Sequence, residues 1–116
     1  MIIETKAFGF SLTPSILMHV ESRVESGIGF ASRSVQRVTV RLDDINATRG
    51  GVDKRCRLVV HLRHRRILNV EATHEDLYAA IDAAVHRIRR LILSESRRHL
   101  AMERRDPQRP GALALA

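Results

Sequence analysis

Arginine is the residue type whose chemistry stands out in this sequence. Arg87, Arg89 and Arg90 lie within four positions, and Arg97 follows seven residues later. A guanidinium group offers a planar fork of N–H donors to phosphate oxygens and keeps its charge at physiological pH. At helical spacing, Arg87, Arg90 and Arg97 share one flank, with Arg89 on an adjoining flank. The pattern favours phosphate binding, but an ordinary solvated helix face accounts for it about equally well.

A second set of arginines alternates with apolar residues along two predicted strands. The set occupies the outward positions and is followed by the basic turn from His64 to Arg66. Outward strand positions are usually solvated, but this face could also form a second surface for polyanions. The members of the set are Arg37, Arg41, Arg55, Arg57 and Arg63.

Catalytic and metal-binding patterns are not apparent in the sequence. His61 and His64 are three residues apart without a Cys or carboxylate pattern to complete a metal site. Glu75 and Asp76 suit the start of a helix, where carboxylates cap backbone N–H groups. The single cysteine, Cys56, alternates with inward apolar residues, so we expect it to be buried and reduced. We expect no enzymatic activity, metal, cofactor or small-molecule substrate.

Composition limits the remaining possibilities. The chain has 116 residues, enough for one domain, with 44% hydrophobic and 28% charged residues, which is typical of a globular protein. Its formal charge of +7 attracts nucleic acid or other polyanions. No apolar run approaches the roughly 18 residues of a membrane span, and the first residues do not resemble a secretory signal. We expect a cytoplasmic protein that does not bind membranes.

Hydrophobic periodicity predicts the secondary structure. A strand from Ile2 to Phe8 precedes a helix that Thr13 caps, with Pro14 at its first position and glycines 27 and 29 at its end. Strands with a period of two follow, from residue 35 to 42, 55 to 63 and 67 to 72, with a hairpin connection across residues 43–54. The pair Thr73 and Asp76 resembles a capping box that opens a long second helix.

The order of these elements predicts an α+β protein. It is a β-α-β-β-β-α two-layer sandwich, in which a four-stranded antiparallel or mixed sheet carries two helices on one face. The predicted apolar stripe of the second helix comprises Leu77, Ile81, Ala84, Ile88, Leu91 and Ile92. We expect one domain over residues 1–102 and a flexible tail over residues 103–116, where the apolar period is lost and helix breakers appear.

The stretch from Val70 to Ala84 resembles the start of the second helix in the ribosome hibernation promoting factors, also called ribosome-associated inhibitors, of the sigma-54 modulation protein family. The segment from Asp44 to Arg57 resembles the short-form members, and the element order is that of the family. The resemblance covers roughly residues 2–100. Departures from the family pattern occur at Ser26, Gly27, Ser94 and Ser96.

The resemblance implies a ribosome-associated translation inhibitor. Family members bind 16S rRNA of the small subunit near the decoding region and block mRNA and tRNA during hibernation. Matching positions imply RNA contacts at Arg23, Arg87 and Arg90, and the family's aromatic position falls at Tyr78, which we expect to be buried against the sheet rather than stacked on a base. The candidate RNA-binding residues are Arg23, Arg57, Arg87, Arg89, Arg90 and Arg97.

An alternative function is compatible with the same residues. A basic module that binds an acidic protein, or nucleic acid without specificity, would need no preference for ribosomes.

Because the larger family members carry a second domain that pairs ribosomes, we expect this chain to act as a short form. Its oligomeric state is open: it could be a monomer, or two copies could pair through exposed apolar residues such as Val59 and Ile67.

Overall fold

The computed structural model describes residues 1–45 and 54–105, with side chains described as far as residue 97. The centre of the predicted hairpin connection, with Asn46, Gly50 and Gly51, lies outside the described residues. Of the tail predicted over residues 103–116, residues 103–105 belong to the described second helix and residues 106–116 lie outside the described residues, so the flexibility of the tail stays a prediction.

The described elements follow the predicted order. They are β1 (Ile2–Phe8), α1 (Pro14–Ile28), a short 3₁₀ turn (Gly29–Ala31), β2 (Val35–Asp44), β3 (Lys54–Leu62), β4 (Ile67–His74) and α2 (Leu77–Arg105). The strands form one four-stranded sheet in the order β1-β2-β3-β4. β1 runs parallel to β2, while β2-β3 and β3-β4 are antiparallel, so the sheet is mixed. The predicted α+β class and β-α-β-β-β-α order are confirmed.

The core lies between the sheet and both helices. In register across the sheet, Val40 pairs with Leu58 and Leu58 pairs with Val70, so their side chains point to one face. Ile16, Val20, Val24 and Ile28 of α1 and Ile81, Ala84 and Ile88 of α2 are buried in the same cluster as this sheet face. Both helices therefore cover one face of the sheet, and the other face carries the alternating polar residues.

The start of α2 differs from the prediction. Thr73 does not cap the helix: it lies in β4, paired with Arg55, and the strand continues to His74. The ladder with β3 offers these residues regular backbone hydrogen bonds, which local capping cannot match. Asp76 begins the helix instead, since its Oδ1 accepts from the Tyr78 N–H at 3.2 Å and its carbonyl accepts from the Ala80 N–H at 3.0 Å.

Three side chains of α2 also lie where the sequence pattern does not place them. Leu91, predicted as part of the apolar stripe, is 39% exposed, while Val85, outside that stripe, is buried. Tyr78 is 38% exposed and is not buried against the sheet; its ring meets the His19 ring edge-on at a centroid distance of 4.8 Å. The contact between α1 and α2 shifts the buried stripe of α2 towards α1, so that Val85 is buried and Leu91, on the opposite flank, is exposed.

Gly27 permits this contact between the helices. It lies inside α1, which ends at Ile28 rather than at Gly27, and a Cβ atom on Gly27 would overlap Cγ1 of Val85. Thr13 and Pro14 begin α1 as predicted, with Thr13 Oγ1 accepting from the Ile16 N–H at 3.2 Å. The absence of a side chain at Gly27 therefore sets how closely the two helices approach.

Replacing Gly27 by alanine should destabilise the fold by about 1–3 kcal/mol, because the added methyl group overpacks the contact with Val85. Urea unfolding would measure the loss. Gly29→Ala is the matched control: a Cβ there meets nothing within 4 Å, and its φ of −58° suits alanine. Equal stability of the Gly27→Ala protein and the wild type would contradict this account of the helix contact.

Candidate nucleic-acid interface

One flank of α2 carries Arg87 and Arg90 along the edge of β4. Ile88 and Ile92 face the core, so the arginines beside them are turned outward. Arg87 donates from Nη1 to the backbone carbonyl of Glu71 in β4. Arg90 lines a shallow depression beside Arg87, with an apolar floor formed by residues 70 and 91. Both side chains are exposed, so their guanidinium groups can meet a ligand.

The other flank of α2 forms a groove with α1, and this groove holds Arg89. Its Nη1 donates to the Gly27 carbonyl at 2.9 Å, and its guanidinium carbon lies 5.1 Å from the centre of the Phe30 ring. The residues that line the groove are Arg23, Ser26, Gly27, Asp82, Val85, His86 and Arg89. Most of these side chains are polar and lie at an open surface, which suits phosphate and sugar contacts.

Asp82 is the acidic residue that lines this groove. Its Oδ1 lies 2.8 Å from His19 Nε2 and 3.3 Å from Arg23 Nε. The carboxylate therefore orients Arg23 and compensates part of its charge. Exposed pairs of this kind are weak, typically below about 1 kcal/mol, so a phosphate group can compete for Arg23.

The opposite face of the sheet has a different charge distribution. Arg57 Nε lies 3.0 Å from Glu71 Oε2, and Arg55 Nη2 lies 3.2 Å from Asp43 Oδ2. Further ion pairs on this face join Arg37 to Glu4 and Arg41 to Asp43. Each of these four arginines thus lies beside a carboxylate, which reduces its attraction for a polyanion, although the single carboxylate of Asp43 serves both Arg41 and Arg55.

Backbone anchoring distinguishes Arg87 and Arg89 from Arg37, Arg41, Arg55 and Arg57. Arg63, just after β3, is likewise held by a backbone carbonyl, since its Nε donates to the Arg33 carbonyl at 2.9 Å. A carbonyl group holds a guanidinium in place without cancelling its charge, whereas a carboxylate cancels it. Within the described part of the chain, Arg87, Arg89 and Arg90 form no ion pair with a carboxylate. Positive charge that no carboxylate compensates in the described part of the chain therefore lies on both flanks of α2, and also at Arg63 beyond the end of β3.

The structure divides the predicted site residues among several places. Arg23 and Arg89 meet in the groove between the helices, while Arg87 and Arg90 lie on the far flank of α2. Arg97 is exposed further along α2. Arg57 lies on the opposite side of the molecule, in the face not covered by helices. Whether each of these side chains binds RNA stays a prediction.

Asp82 and Phe30 are site residues that the sequence pattern does not indicate. Asp82 reads as an ordinary outward position of α2, and only the packing of α1 against α2 brings it to Arg23. Phe30 follows Gly29, so it reads as part of a turn rather than of a binding surface. The one available signal was an aromatic residue placed outside any apolar stripe.

The thiol of Cys56 does not contribute to this surface. Cys56 is buried in the core, as predicted, and burial raises the pKa of its thiol to about 12, so it stays protonated and unreactive. Within residues 1–45 and 54–105, no cluster of three or more His, Cys, Asp or Glu could hold a metal ion. No helix in the same ranges is both long and apolar enough to span a membrane.

Fold and surface together define a basic α+β protein that presents arginine donors from two packed helices. The family model described as Sigma 54 modulation protein / S30EA ribosomal protein matches residues 3–99. The chain belongs to this family, whose members are ribosome-binding factors and not enzymes. Family membership agrees with the resemblance found in the sequence and with the expectation of a non-catalytic protein.

Solved structures share this fold. A ribosomal subunit interface protein from Coxiella burnetii superposes with a TM-score of 0.72 at 16% identity, covering 83% of this chain and 98% of that protein. The N-terminal domain of Protein Y from Thermus thermophilus superposes with a TM-score of 0.64 at 24% identity, covering 79% of this chain and 96% of that domain. No curated protein matches the sequence.

Proposed function

We propose that this protein inhibits translation by binding 16S rRNA of the small ribosomal subunit near the decoding region. There it would block mRNA and tRNA during hibernation, in the cytoplasm. The proposal is supported by membership of a family of ribosomal proteins and by the likeness to a ribosomal subunit interface protein.

The observation that carries the proposal is the anchoring of the α2 arginines. Arg87 and Arg89 each donate to a backbone carbonyl, on opposite flanks of one helix, and remain exposed. Preordered guanidinium groups lose less side-chain entropy when they bind phosphate, so each contact retains more of its free energy. Donors on both flanks suit a ligand that spans the exposed side of α2, as RNA lining a cleft would.

Inhibition by this route requires occupancy alone. A packed α+β domain does not need to change shape to exclude mRNA and tRNA from a site that it fills. The rate of inhibition would depend on association, which the net charge of +7 accelerates towards RNA.

Competition on purified small subunits tests the proposal. We expect the protein to lower binding of initiator tRNA to programmed subunits in proportion to its own occupancy, and excess tRNA and mRNA to displace it. Simultaneous, independent binding of the protein and tRNA would place the protein elsewhere on the ribosome and would contradict the proposed mechanism.

A further inference from the structure

Phe30 is an exposed aromatic residue at the rim of the groove between the helices. It lies in the 3₁₀ turn after α1, and its side chain is 55% exposed rather than part of the core. The rest of the chain contains only two other Phe, one Tyr and no Trp. An aromatic ring at the edge of a basic groove is therefore a specific feature of this surface.

The Phe30 ring is in contact with the guanidinium group of Arg89. Its guanidinium carbon lies 5.1 Å from the ring centre, within the range of a cation–π contact, while its Nη1 is bound to the Gly27 carbonyl. Because the guanidinium lies over the ring and Phe30 remains 55% exposed, the pair presents a π-surface to solvent at this edge of the groove. Arg23, Ser26 and His86 line the adjoining groove and could bind the phosphate or sugar of a nucleotide.

We propose that Phe30 and Arg89 form a stacking platform for an unpaired base of RNA. Unstacked bases in loops and single strands stack on aromatic rings and guanidinium planes, whereas the bases of a duplex are already stacked on each other. The platform therefore selects single-stranded RNA over duplex RNA of the same charge. This inference rests on the proposed RNA-binding function, but not on the decoding region as its location.

Phe8 provides a matched control elsewhere in the same molecule. Arg41 lies over the Phe8 ring at 4.3 Å, so the two pairs have similar geometry. Arg41, however, also lies 3.7 Å from Asp43, and the pair belongs to the face of the sheet where charges are compensated. Removing the Phe8 ring should not affect RNA binding.

Phe30→Leu and Phe8→Leu separate stacking from general attraction. The probe is a single strand of adenines and cytosines, about 12 nucleotides long, compared with the same strand annealed to its complement. Phe30→Leu should weaken binding of the single strand by about tenfold and leave duplex binding unchanged, as one lost base stack predicts. Phe8→Leu should alter neither. Equal effects of Phe30→Leu on both probes, or no effect, would overturn the proposal.

Phe30→Trp gives a direct readout, because the chain contains no other tryptophan. Stacking should quench the fluorescence of this single indole on addition of the single strand, while heparin, a polyanion without bases, should leave it unchanged. Quenching by RNA in a protein that fails to bind small subunits would support the platform and contradict the proposed function. Unchanged fluorescence at saturating single-stranded RNA would overturn the platform, even if subunits are bound.

Discussion

Replacing both Arg87 and Arg90 by glutamate should abolish binding to the small ribosomal subunit, with a loss of affinity of at least about a hundredfold. Both side chains are exposed on one flank of α2, and neither is compensated by a carboxylate in the described part of the chain. A hydrogen bond to a charged group contributes about 1.5–3 kcal/mol, so two lost phosphate contacts account for an effect of this size. Equilibrium binding to purified subunits would measure it.

The control for this variant is the same charge change at the end of the same helix. Arg104 and Arg105 are the last two residues of α2, and their replacement by glutamate changes the net charge equally. We expect the control to bind subunits within about threefold of the wild type, since long-range attraction between exposed charges is screened beyond about 8 Å at physiological salt. Equal losses from both double variants would favour general attraction to polyanions over a defined contact surface.

Raising the salt concentration from 50 to 200 mM should weaken subunit binding by about two to three orders of magnitude. Each neutralised phosphate contributes roughly 0.7–0.9 to the slope of log affinity against log salt, and five helical arginines give this range. The five are Arg23, Arg87, Arg89, Arg90 and Arg97. A titration of binding against salt would give the slope directly.

Single neutral variants then assign the slope to residues. Arg89→Gln should reduce the slope by about one unit, because its charge is held at the surface by a carbonyl and is not compensated. Arg57→Gln is the counterpart on the sheet face. It should leave the slope unchanged, because Glu71 already compensates the charge of Arg57. A slope near zero in the wild type would show that binding depends on apolar or neutral contacts, and the charge-based interface would then be wrong.

The fold could be predicted from the sequence because its periodicities are simple. Val38, Val40 and Leu42 alternate with polar residues, and all three are fully buried on the covered face of the sheet. The start of α2 could not be predicted from the local sequence. Thr73 has Asp76 at the spacing of a capping box, and yet it pairs with Arg55 of β3 as part of a strand. Competition between a cap and a strand ladder is decided by tertiary pairing, which the local pattern does not contain.

The candidate site was predictable in its chemistry and not in its arrangement. The arginines of α2 are visible in the sequence as potential phosphate ligands, but their division between two flanks depends on which side of α2 meets α1. That contact depends on Gly27, whose lack of a side chain makes room for Val85. The same contact brings Phe30 and Asp82 to the site. Phe30, in the turn after α1, meets Arg89 of α2, and Asp82 of α2 meets Arg23 of α1.

Co-sedimentation with purified small subunits, in the presence of excess heparin as a competing polyanion, tests the central claim most directly. We expect saturable binding near one protein per subunit that survives the competitor. Binding that does not saturate, or that heparin removes in proportion to its charge, would contradict a specific ribosomal site.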